Sequence, residues 1–167
     1  MHQAQQLAAR LEEVFLSGKW IASTNYRELL DGVSLEQATT SLPQFNSIAK
    51  LTFHINYYLD GLIRAFQTGT LDIKDQYSFD LPPLQTEEGW DQLRATLLNN
   101  SKAFSDLVSA MEDSHLDAPF IDARYGTVLR NIEAVIEHSY YHLGQIRLIK
   151  KWIEGQTESS FRSTPTS

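Results

Sequence analysis

The chain is 167 residues long, 42% hydrophobic and 21% charged, and its 14 Lys and Arg against 21 Asp and Glu give a formal charge of −7. That length and mix predict one domain able to bury a core without staples, while an acidic balance with no basic cluster argues against nucleic acid or an anionic membrane as partner. The absence of cysteine removes disulfides and thiolate ligands, so a metal would have to be held through nitrogen or oxygen and a thiol nucleophile would have to come from outside.

The first segment, over about residues 3–17, places Leu7, Leu11, Val14 and Phe15 at steps of three and four, which predicts an amphipathic helix interrupted at Gly18. No hydrophobic signal-peptide core is found there, and no run of about 18 apolar residues occurs anywhere, so a soluble cytoplasmic protein is expected. The stretch that follows reads as two short helical pieces near 24–31 and 34–40.

A second long helix is predicted over 47–67, "NSIAKLTFHINYYLDGLIRAF", after Pro43 and with Asn46 or Ser47 as its N-cap. Its apolar side carries Ile48, Leu51, Ile55, Tyr58, Leu62 and Phe66. The loop "QTGTLDIKDQYSFDLPPLQ" comes next, long for a helix connection and rich in aromatic and aspartate residues, as expected of a packed cover or a loosely ordered surface. A third helix is predicted over about 87–111 with Thr86 as N-cap, and a fourth over about 126–154, ended by Gly155. Residues 1–155 are thus read as one domain and 156–167 as a flexible tail. With no strand pattern and no internal repeat, the expected fold is all-α, a four-helix bundle.

The fourth helix contains "NIEAVIEHSYYHLGQI". On a helical wheel of about 100° per residue, Val135, His138, Ile146, Ile149 and Ile153 all fall within about 40° of His142. Two imidazoles one turn apart thus occupy the stripe that the helix needs for its core. Residues at that spacing have Cβ atoms roughly 5–6 Å apart, so both rings can reach one atom. Burying an unpaired ring costs on the order of 1–3 kcal/mol, which demands a partner for each. His54 sits on the apolar side of the second helix, and three imidazoles from two helices would leave one position of a tetrahedral ion open. Tyr57, Tyr58, Tyr140, Tyr141, Asn131 and Gln145 neighbour this candidate site; Tyr57, Tyr58, Asn131 and Gln145 are its candidate second-shell or pocket groups, with core or interface packing as the alternative for the tyrosines.

Other chemistries lack their residues. Glu133 and Glu137 each lie five positions before a histidine, so the Glu-x-x-His spacing of carboxylate-bridged di-iron bundles fails. There is no His-Glu-x-x-His helix, phosphate-binding loop, dinucleotide turn or Gly-x-Ser-x-Gly elbow.

"FNSIAKLTFHINYY" together with "YGTVLRNIEAVIEHSYYHLGQI" resembles the DinB-like (DinB/YfiT-like) superfamily of small metal-binding four-helix bundles. The resemblance spans the chain from about the first helix to Lys151. It implies metal ligation by His54, His138 and His142, an up-down-down-up bundle with a long crossover, Zn or Ni as the divalent ion, and a homodimer. Some relatives are thiol-dependent transferases or isomerases that use a small-molecule thiol cosubstrate. The chain departs from the pattern at the broken first helix and at "DIKDQYSFDLPPL", elements that line the pocket in relatives. Three readings stay open on sequence alone: a metal-dependent transferase or hydrolase, a non-catalytic bundle with a structural or sensing metal, and three unrelated core histidines.

Overall fold

The computed structural model describes residues 2–162, with side chains described through residue 156. Four long helical elements carry the fold: α1 (Gln3–Glu12), continued by a π-helical turn over Glu13–Ser17, then α4 (Ile48–Thr68), α5 (Glu87–Ser109) and α7 (Val128–Arg162). Between the first two lie the short α2 (Tyr26–Leu30) and α3 (Leu35–Thr39), and α6 (Asp113–Leu116) precedes α7. No strand occurs among the described residues, and none of their helices is long and apolar enough to cross a membrane.

The helix limits follow from local chemistry. Ser47 caps α4 by accepting from the Lys50 N–H, and Thr86 caps α5 by accepting from the Gly89 N–H. Gly69 ends α4 in the left-handed region at φ 72°, donating its N–H to the Ala65 carbonyl. The N-terminal pieces are sharper than their apolar pattern: Asn25 caps α2, and Ser34 with Gln37 forms a capping box on α3. At Gly18 the chain leaves the π turn at φ −97°, and a Cβ there would meet the Glu13 side chain at 2.1 Å. The expected break at Gly18 is therefore a close approach of Glu13, whose carboxylate accepts from the Ile21 N–H at 2.9 Å.

One boundary differs from the sequence expectation. The last helix runs through Gly155 to Arg162, because Gly155 does not take the positive φ that a helix-ending glycine needs. Of the tail expected from residue 156, the part beyond 162 lies outside the described residues.

Named contacts set the direction of each helix. Ser105 donates to the Ala8 carbonyl, and Asp113 accepts from the Gln3 and Ala4 N–H groups, so α5 descends as α1 rises. Asn100 donates to Asn56, and Phe104 meets Phe66, so α4 and α5 run the same way. His54 meets His142 and His138 while Phe66 reaches back to Phe120 before α7, so α7 opposes α4. The order is up-down-down-up, with residues 70–86 crossing over between the parallel pair. The core is built from Leu11, Phe15, Ile55, Leu59, Trp90, Phe104, Ile132 and Ile146, all at most 2% exposed. Tyr26, fully buried, donates its hydroxyl to the Ser139 carbonyl at 2.7 Å and so pins α2 to the histidine-bearing helix.

Candidate metal centre

His54 from α4 and His138 and His142 from α7 turn their rings into one point of the bundle. His138 Nε2 lies 3.2 Å from His54 Nε2 and 2.8 Å from His142 Nε2. Three nitrogens bound at about 2.0–2.1 Å around a tetrahedral ion stand about 3.4 Å apart, so the three rings are already close to the spacing that a shared cation requires. His54 and His142 are buried and His138 is partly so. The histidines predicted from the stripe are thus the ones that converge.

Two of the three rings have their tautomer set from behind. His54 Nδ1 faces the Ser78 carbonyl at 3.3 Å, and His142 Nδ1 faces Gln145 Oε1 at 2.7 Å. A carbonyl oxygen only accepts, so each Nδ1 carries the proton and each Nε2 presents a lone pair to the centre. Outer hydrogen bonds of this kind orient ligating histidines and raise their basicity. Phe79 stacks on His54 with centroids 3.9 Å apart and Tyr58 meets it edge-on at 5.0 Å, which leaves the ring little room to rotate.

Electrostatics favours the neutral rings that a metal needs. Burial, then the neighbouring His142 and His138, lower the His54 pKa to about 4 despite the Ser78 carbonyl and Asp75, which act the other way. His138 is lowered to about 4 by burial and by His142. Burial also lowers His142, against the Gln145 hydrogen bond. Neutral imidazoles whose lone pairs face inward suit a divalent ion.

The other sequence candidates divide. Gln145 sits behind His142, as above. Tyr58 lies edge-on to His138 at 5.4 Å and donates its hydroxyl to Asp75 Oδ1 at 3.0 Å. Asn131 spends both amide hydrogens on the Tyr125 and Thr127 carbonyls and fastens the start of α7. Tyr57 does not serve the centre: its hydroxyl donates to the Lys74 carbonyl and accepts from the Lys74 N–H, both at 3.0 Å, so it ties down the crossover.

The crossover is a packed cover. It supplies Ser78 and Phe79 against His54, Asp75 against Tyr58, and Ile73 over Gly61, where a Cβ would meet Ile73 Cγ1 at 2.5 Å. Sequence reasoning missed these residues individually; the aromatic and aspartate content of the loop was the only signal. Beside the centre lies a cavity of about 260 Å³, whose walls include His138, Tyr58, Asp75, Val135 and Phe120. The crossover lines it as the resemblance implies, whereas α1 contributes no lining residue.

An up-down-down-up bundle with three inward histidines at its centre defines a class of all-helical protein whose histidine group could hold a metal ion. The DinB superfamily model matches residues 21–146, and the chain belongs to that superfamily. Comparison with curated proteins and with solved structures gave no match.

Proposed function

We propose that the protein is a metal-dependent enzyme, a thiol-dependent S-transferase or a hydrolase, working at a divalent ion held by His54, His138 and His142, with Zn or Ni as the fitting ions. The observation that carries this reading is the cavity that reaches His138: a structural ion is closed off by four protein ligands, whereas here three histidines stand beside a space large enough for a small molecule. A bound divalent ion supplies Lewis acidity and lowers the pKa of a water or thiol placed on it. The chain itself orients the rings through Ser78 and Gln145, and Phe79 covers one face of His54. The lack of cysteine fits a thiol brought in as a small-molecule cosubstrate. A cytoplasmic location accords with this chemistry.

The test is direct. Protein purified without chelator is expected to carry one divalent ion per chain, and its Co(II) form to change its visible spectrum when a low-molecular-weight thiol or a substrate-like ligand is added. One metal per chain with a spectrum indifferent to several thiols and small anions would favour the non-catalytic alternative, a bundle with a structural or sensing metal.

We also propose a homodimer. Phe45, Leu148 and Trp152 are 67%, 71% and 50% exposed, and with Leu42, Pro43 and Ile149 they line an apolar groove of about 440 Å³. Tyr141, 63% exposed, extends the apolar surface along α7. An apolar groove rimmed by exposed hydrophobic side chains marks an association surface, and a second copy of the chain brings the same face to meet it.

A further inference from the structure

The polar groups on the walls of the 260 Å³ cavity have one property in common. Tyr58 has given its only hydroxyl hydrogen to Asp75 Oδ1, so what it offers is a lone pair. Asn131 has given both amide hydrogens to the Tyr125 and Thr127 carbonyls, so its remaining group is the carbonyl oxygen. Asp75 offers its second carboxylate oxygen, which has no protein partner among the described residues. Three acceptors, one of them charged, therefore share the cavity with Leu62, Leu71 and Phe120, and neither Lys nor Arg is among the lining residues. Of the lining groups, the Tyr125 hydroxyl and the His138 ring alone have a hydrogen to donate.

A site built of acceptors rejects a ligand that also brings only acceptors, because each unpaired polar group that loses water on binding costs free energy. An anion faces the Asp75 carboxylate besides. A donor-rich cationic head gains on both counts, and the protein's charge of −7 favours its approach. Asp75 is also exposed, so it stands where the cavity meets solvent.

We propose that the cavity takes a small organic cation, an amine whose ammonium group is held by Asp75 beside Tyr58 while its apolar body lies against Leu62, Leu71 and Phe120. This rests on the reading of the cavity as the place where substrate meets the metal centre, and it names the substrate class for that site. Asp75 is the specificity-determining residue. The apolar body is of metabolite size, since drug-sized ligands fill cavities of roughly 300–1,000 Å³.

The experiment titrates full-length protein at pH 7.5 with benzylamine, benzyl alcohol and benzoate, three probes of one shape and different charge. Protein is used as purified and after metal has been stripped with a chelator, and binding is read from protein NMR shifts. Without metal no probe gains from coordination, so the stripped protein reports the cavity alone. Benzylamine is expected to bind about tenfold or more tightly than either other probe, as one charge-assisted hydrogen bond provides. Asp75→Asn should bring benzylamine to within about threefold of benzyl alcohol while the metal content stays at the wild-type value. Equal or tighter binding of benzoate or benzyl alcohol, no binding of any probe, or a preference that survives in Asp75→Asn overturns the proposal. The amine preference without stoichiometric metal would overturn the proposed function and leave the cavity's selectivity standing; metal without the preference would do the reverse.

Discussion

Gln145 Oε1 stands 2.7 Å from His142 Nδ1, one helical turn beyond it on α7. That contact fixes which nitrogen of His142 carries the proton, and so which one faces His138 and His54. Gln145→Leu, close in shape but with no acceptor, frees the ring to take the other tautomer. Metal affinity is expected to fall about 10–100-fold, the usual effect of losing such an outer partner, with the helical circular dichroism spectrum unchanged. Affinity equal to wild type by competition with a chromogenic chelator would show that the hydrogen bond has no part in binding.

His142 lies at the centre of the stripe and its Nε2 is 2.8 Å from that of His138. His142→Ala leaves two ring nitrogens, too few to retain an ion through purification. Elemental analysis should find wild-type protein with one divalent ion per chain and the variant with almost none. A variant that still carries one per chain would refute the three-histidine centre.

The three rings are held neutral in the fold, which links pH to the stability of metal-free protein. The pKa values of His54 and His138 are about 4 in the fold, against 6.5 for an unperturbed imidazole. Between these values the unfolded chain binds more protons than the folded one, so stability falls as pH drops. The contribution is fully present above about pH 6.5 and is lost as pH falls toward about 4. Urea midpoints of metal-free protein at pH 7.5 and 5 should differ in that direction, and His54→Gln with His138→Gln should shrink the difference. A midpoint independent of pH over this window would contradict the buried neutral state.

Gly61 gives the crossover its seat, since a Cβ there meets Ile73 Cγ1 at 2.5 Å and Cδ1 at 2.8 Å. In an open helix Gly→Ala stabilises by about 1 kcal/mol; here crowding is expected to reverse the sign, with a net loss of about 1–2 kcal/mol. Ile73→Ala in the same chain should relieve most of the added cost, and a double-mutant cycle by urea denaturation measures the coupling. Additive effects would mean that the loop does not bear on Gly61.

The proposed homodimer puts Trp152 and Leu148, exposed on one face of α7, at its interface. Trp152→Glu places a charge in the apolar groove and is expected to yield monomer in sedimentation experiments at a concentration where wild type is dimeric, with metal content retained. A variant that remains dimeric would move the interface elsewhere.

Much of this protein could be read from its residues because helices are local. Steps of three and four in apolar residues, and the caps at Thr86 and at Ser47, one of the two candidates for its helix, depend on neighbours within a turn, and each reappears in the structure. The His138 and His142 pair was legible for the same reason, since a helix fixes the spacing of residues four apart. The end of α7 was misread because a glycine stops a helix only where the backbone takes a positive φ, and Gly155 does not. Only the tertiary structure decided that His54 joins the pair, since that depends on how α4 and α7 cross. It alone decided that Tyr57 holds the loop while Tyr58 faces the centre. The crossover has no periodicity to read: the positions of Ser78, Phe79 and Asp75 are set by contacts with a helix some twenty residues earlier in the chain, and such long-range contacts leave no local pattern in the sequence.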